Sequence, residues 1–134
     1  MGGLVALNPL NNNKQWYIKE KWPVSGGFLT TSSNLLFYGT MDRWFKVLYS
    51  NSGKLLWKFQ VGSGVIGNSF SYFNKGKHYV GAFSGIGGAW ANEAIGQGWN
   101  MINDRTSAYE DTTLQQFARN NANIGAGALN IFSL

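Results

Sequence analysis

The chain has 134 residues, room for one domain at most, and its 44% hydrophobic and 16% aromatic content excludes global disorder. Charged residues make up only 13%, against about 25% in an average soluble domain; with six Trp, six Tyr and nine Phe, that deficit marks a surface much of which something else covers. A net charge of +5 suits an acidic or anionic partner, and the absence of cysteine excludes a disulfide framework, a cysteine-ligated zinc and a thiol nucleophile.

Taken in order, Leu4–Leu7 reads as a short strand that ends at Asn8-Pro9 and turns through Asn11-Asn12-Asn13. Gln15–Lys19 follows, with Trp16 and Ile18 on one face, and Trp22-Pro23 breaks it. Phe28–Thr31 and Leu35–Tyr38 are joined by Ser32-Ser33-Asn34. Turn residues at Gly39-Thr40-Met41-Asp42 and Ser50-Asn51-Ser52-Gly53 set off two more runs, Arg43–Tyr49 and Leu55–Phe59, which makes a series of antiparallel hairpins. Beyond the glycine-rich loop Gly62–Gly67 come strands Ser69–Phe73 and Lys77–Phe83 around Asn74-Lys75-Gly76, then a loop from Gly85 to Gly98. The period changes at Asp104: Ala108, Leu114, Phe117 and Ala118 share a helical face, which predicts a helix over Ser107–Arg119, and Ala128–Leu134 reads as a last strand.

The spacing repeats. Ala6-to-Trp16 and Val47-to-Trp57 are intervals of equal length with turn residues at matching places, and the two copies lie 41 residues apart. A period of that size is that of a four-stranded propeller blade. The expected fold is therefore all-β: about two blades of a β-propeller, an incomplete ring, over residues 1–90, and a tail over 91–134 with one helix and a terminal strand. Trp16 and Trp57 are the expected blade-docking residues. Trp22, Trp44, Trp90, Trp99 and Phe132 are the candidates for contact with partners.

The strings Leu36-Phe37-Tyr38-Gly39-Thr40-Met41-Asp42, Ser52-Gly53-Lys54-Leu55-Leu56-Trp57-Lys58-Phe59 and Gly62-Ser63-Gly64-Val65-Ile66-Gly67 carry a resemblance. Tyr79-Val80, Ser84-Gly85-Ile86-Gly87-Gly88 and Ile131-Phe132-Ser133-Leu134 continue it. Together they are similar to the C-terminal portion of the pyrroloquinoline-quinone-dependent methanol and alcohol dehydrogenases, which are eight-bladed propeller enzymes. The resemblance runs from about Gly3 to Gly88 and resumes over the last residues. It implies that a quinone would stack on a tryptophan after a Pro-Val-type pair, where Pro23-Val24-Ser25-Gly26-Gly27 places Ser25. It implies a second tryptophan closing the glycine loop, where Gly85-Ile86-Gly87-Gly88-Ala89-Trp90 places Ala89. The family's catalytic Asp, its metal-binding Glu and Asn and its cofactor Arg come from blades that this chain lacks. No bound quinone, metal or small-molecule substrate is expected, and the chain is expected to be a remnant of an enzyme without its activity.

The residues carry no competing chemistry. Gly62-x-Gly64-x-x-Gly67 has the glycine spacing of a dinucleotide fingerprint, but a strand follows it and the region near Gly87 has no acid. His78 is the single histidine and the six carboxylates are scattered, Asp42 in a hairpin turn. Residues 14–77 hold nine basic side chains against Glu20 and Asp42. Ribosomal RNA stays a candidate partner on that ground, without a motif to indicate it; lysines blunting strand edges are the plainer reading. Met1-Gly2-Gly3-Leu4 lacks the basic and apolar regions of a signal peptide, and the glycine-rich uncharged run Tyr79–Asn92 is too short to span a bilayer. An intracellular place is expected. The abundance of asparagine fits an A+T-rich organellar gene, such as a mitochondrial one.

Two functions follow as expectations: a non-catalytic structural or interaction subunit of a larger assembly, such as a ribosome or respiratory complex, or the C-terminal piece of a split dehydrogenase. The tail strand is expected to add to a sheet edge, at Leu4–Leu7 or on a neighbouring protein. The isolated chain is expected to self-associate.

Overall fold

The computed structural model describes residues 2–22, 24–85 and 127–134. Among these residues nine strands lie in three antiparallel sheets. Sheet 1 pairs β1 (Gly2–Leu7) with β2 (Lys14–Glu20). Sheet 2 runs β3 (Leu29–Thr30), β4 (Leu35–Gly39), β5 (Trp44–Tyr49) and β6 (Lys54–Gln60). Sheet 3 runs β7 (Ser69–Asn74), β8 (Lys77–Ser84) and β9 (Ala128–Ser133). Two full propeller blades would hold eight strands. Among the described residues one four-stranded sheet stands with a two-stranded and a three-stranded one.

Turn chemistry explains the hairpins. Left-handed backbone at Asn12, Asn34, Arg43, Gly53, Lys75 and Gly76 sits at the reversals, where Asn and Gly are the residues that adopt it at least cost. The Thr40–Arg43 turn is closed by Thr40 N–H donating to the Trp44 carbonyl (2.8 Å) and by the Thr40 hydroxyl accepting from Trp44 N–H (3.2 Å). The loop of Gly62, Gly64 and Gly67 leads into β7 and not into a helix, as the fingerprint argument requires.

The two middle strands of sheet 2, β4 and β5, bury side chains on both faces and are apolar on both. Phe37, Phe45 and Val47 face sheet 3 and form one core with Val61, Val65, Val80 and Ala82, with Leu29, Leu35 and Phe132 packed against it. Tyr38 and Leu48 point the other way and meet Leu4, Trp16, Ile18, Val24 and Leu36 at sheet 1. At Gly27 and Gly39 the chain runs close to the segment that leads into sheet 3. Gly27 N–H donates to Asn68 Oδ1 at 3.0 Å, and a Cβ at Gly39 would collide with the Val65 side chain.

Two expectations change. The Phe28–Thr31 strand is reduced to Leu29–Thr30, and Phe28 turns its ring to Tyr38 at 6.2 Å. The tail strand does not add to Leu4–Leu7. It pairs with β8, from Ser84↔Ala128 to Tyr79↔Ser133. Two things fix that choice: Phe132 seats on the Phe45 ring (5.4 Å), and the Asn130 amide donates to the Ser84 hydroxyl at 3.0 Å. The expected helix over Ser107–Arg119 lies outside the described residues, as do Ala89, Trp90 and Trp99.

Candidate functional site

The functional surfaces of this chain are the seams between its sheets. At the first seam β2 delivers Glu20. Trp16, Ile18 and Glu20 share one strand parity, so the face that buries the first two also buries a carboxylate, which is only 7% exposed. An unpaired buried carboxylate would be costly. Lys46 of β5 meets it at 2.8 Å to each oxygen, and the Tyr38 hydroxyl of β4 donates to Oε1 at 2.7 Å. Burial first, then the hydrogen bond to Glu20 and the negative charges of Glu20 and Asp42, push the Tyr38 hydroxyl well above its ordinary value near 10. The phenol stays a donor, and sheet 1 is locked to the middle of sheet 2.

Farther along the same seam Trp16 lies over the β5–β6 turn. Its Nε1 donates to the Ser50 carbonyl at 2.7 Å. A Cβ at Gly53, where φ is +69°, would stand 2.8 Å from the indole Cδ2. Glycine therefore serves twice here, for the left-handed turn and for the space under the ring. Trp57, one period later, stacks on Phe59 (5.9 Å) and meets Phe132 edge-on (5.2 Å) at the second seam. Beside it a groove of about 580 Å³ runs between β6 and β9, lined by Leu56, Trp57, Phe132 and Leu134 among others.

Of the other singled-out residues, Trp22 is buried at 9% with Lys21 Nζ 5.8 Å from its ring centre, and Trp44 is half-buried under Lys58 Nζ at 4.5 Å. His78 stacks on Phe73 at 4.3 Å, and its Nε2 is buried without a hydrogen-bond partner among the described residues. No group of three His, Cys, Asp or Glu side chains that would hold a metal occurs among the described residues. No described helix is long and apolar enough to cross a membrane.

Ser25 does not fit a quinone. Its hydroxyl points at the Met41 thioether (3.8 Å), Met41 is itself buried, and the backbone two residues on is held by Asn68. That arrangement offers no ring to stack on.

No protein-family model matches the chain. It is 40% identical over 97 residues to a lanthanide-dependent methanol dehydrogenase of Methylacidiphilum fumariolicum, covering 72% of this chain and 16% of that one. It is 41% identical over 88 residues to methanol dehydrogenase subunit 1 of Methylobacterium organophilum, covering 66% and 14%. Among solved structures, a europium-containing methanol dehydrogenase superposes on 98% of this chain and 23% of its own, with a TM-score of 0.77 at 33% identity. The chain is thus homologous to a segment of the quinoprotein methanol and alcohol dehydrogenases, and it spans about one sixth of the length of the curated relatives it matches.

Proposed function

We propose that this chain is a non-catalytic propeller segment that acts as a structural and interaction subunit of a larger protein assembly. The observation that carries the reading is the state of the two end faces of the sheet stack. Val5, Leu7 and Tyr17 on sheet 1 and Tyr72, Phe83, Leu129 and Ile131 on sheet 3 stand exposed, on strands whose opposite sides are packed. Contiguous apolar faces of that kind are interaction surfaces more often than bare ones. Ser25, where the resemblance implies a stacking ring, supports the absence of turnover. The assemblies that suit such a subunit are a ribosome or a respiratory complex of an organelle, a choice that rests on composition alone.

Native mass spectrometry of the chain isolated from its source tests this: it should run with other polypeptides, without quinone. The second reading is a piece of a split dehydrogenase, favoured by about 40% identity to methanol dehydrogenases. A companion chain carrying the remaining blades, with pyrroloquinoline quinone and calcium or a lanthanide retained stoichiometrically and dye reduced on alcohol addition, would establish that reading and overturn the first.

A further inference from the structure

The two seams follow one plan and differ in polarity at one place. Trp16 and Trp57 lie 41 residues apart, and so do Ile18 and Phe59 and, one step of strand parity further, Glu20 and Val61. Trp16 packs on the cluster that holds Leu48, and Trp57 meets Phe132 edge-on. Two residues before Leu48 on β5 stands Lys46, paired across the sheet with Tyr38; two before Phe132 on β9 stands Asn130, paired with Ala82. Glu20, Tyr38 and Lys46 at the first seam therefore correspond to Val61, Ala82 and Asn130 at the second. The first set is an ion pair to which a phenol donates. In the second, Val61 and Ala82 are 3% and 0% exposed in one apolar core, and the Asn130 amide turns to the Ser84 hydroxyl and the Ala82 carbonyl.

The apolar contacts of the two seams are interchangeable in kind. Trp matched with Trp, Ile with Phe and Leu with Phe bury area without direction. Chains built from similar units are prone to docking the wrong pair, and charge can separate the pairings. Were sheet 1 to seat on the face of sheet 3 that receives sheet 2, Glu20 would meet Ala82 and Asn130, and a buried carboxylate would stand without a cation. A slide of β2 by two residues keeps its apolar side inward, yet it would set Ile18 against Lys46 and strand the ammonium.

We infer that Glu20, Tyr38 and Lys46 form a matching key, which selects sheet 2 as the seat of sheet 1 in one register and rejects sheet 3. Apolar burial supplies the holding force, and the key supplies the choice between dockings. Replacing a buried ion pair by apolar side chains of similar volume is often neutral or stabilising, whereas a buried polar group can fix a unique arrangement. The inference rests on described strands alone, and it holds alike for a structural subunit and for a piece of an enzyme.

The chain has no cysteine, so spin labels at Lys19→Cys on β2 and Lys54→Cys on β6, both exposed positions, report on the docking of sheet 1 without background. The full labelled chain, diluted with unlabelled chain, should give one distance by pulsed dipolar spectroscopy. The apolar variant Glu20→Met with Tyr38→Phe and Lys46→Met should keep a cooperative urea transition with its midpoint at or above that of the parent. A second distance should then appear in about a tenth or more of its molecules. The exchange variant Glu20→Lys with Lys46→Glu keeps one attractive pair and should return to a single distance. An apolar variant that fails to fold, or that folds with the parent's single distance, would overturn the proposal, since the three side chains would then supply stability and not choice. An exchange variant with as large a second population as the apolar one would overturn it as well.

Discussion

Removing the ammonium of Lys46 tests the first seam most sharply. In Lys46→Met the Glu20 carboxylate keeps only the Tyr38 hydroxyl, at a place where the Lys46 and Glu20 side chains are 15% and 9% exposed. An exposed ion pair would contribute about 0–1 kcal/mol. Breaking a buried one costs about 3–5 kcal/mol, because the surviving charge is left without a partner. A domain stable by about 5–15 kcal/mol would then retain little margin. The double variant Glu20→Gln with Lys46→Met removes both charges yet leaves an amide oxygen to accept from Tyr38. It should lose only about 1 kcal/mol, which gives a coupling energy of at least about 2 kcal/mol. Urea unfolding followed by tryptophan fluorescence measures the two single variants, Lys46→Met and Glu20→Gln, and the double variant. If Lys46→Met lies within 1 kcal/mol of the parent, or the single effects add in the double variant, the pair is not desolvated and the reasoning is wrong.

Three other outcomes are expected. Trp16→Phe, which keeps the ring but deletes the donor to Ser50, should cost about 0.5–1.5 kcal/mol by the same unfolding assay. Gly53→Ala should cost more than about 1 kcal/mol, from the left-handed backbone and the contact with the indole, and pairing it with Trp16→Ala should recover part of the loss. The raised Tyr38 hydroxyl holds its proton in the folded chain after the unfolded chain has released its own, so folding stability due to this group is intact below about pH 10 and falls as pH rises above it. The parent should therefore lose up to about 1.4 kcal/mol per pH unit relative to Tyr38→Phe in that range, and parallel profiles would refute the assignment.

Strands and turns were legible because period-2 alternation and Asn/Gly turn residues are local signals, and the 41-residue repeat announced stacked blades. Glu20 was not picked out. It sits between Lys19 and Lys21 and reads as a solvated strand end, while its partner Lys46 is 26 positions away. The available signal was parity: a carboxylate in step with Trp16 and Ile18, two residues beyond the latter, must be buried and therefore paired. The lysines read as edge guards included Lys46, which stands on an interior strand of sheet 2. The partner of β9 was hidden for a different reason. Leu129 to Leu134 is apolar on both faces, and the segment before it is long, so neither parity nor a turn specifies an edge. The seating of Phe132 on Phe45 and the Asn130–Ser84 hydrogen bond decide it.

The layers touch through small groups at one end and large ones at the other. Gly27 meets Asn68 and Gly39 meets Val65 near the first strands, while Trp16, Trp57, Phe59 and Phe132 fill the space near the last. A gradient of side-chain volume from rim to hub makes each layer a wedge, and wedges stacked in one sense fan out around an axis. The curvature of the whole is thus written in residue size: enlarging the hub glycines would flatten the fan, and trimming the rim aromatics would do the same from the other side.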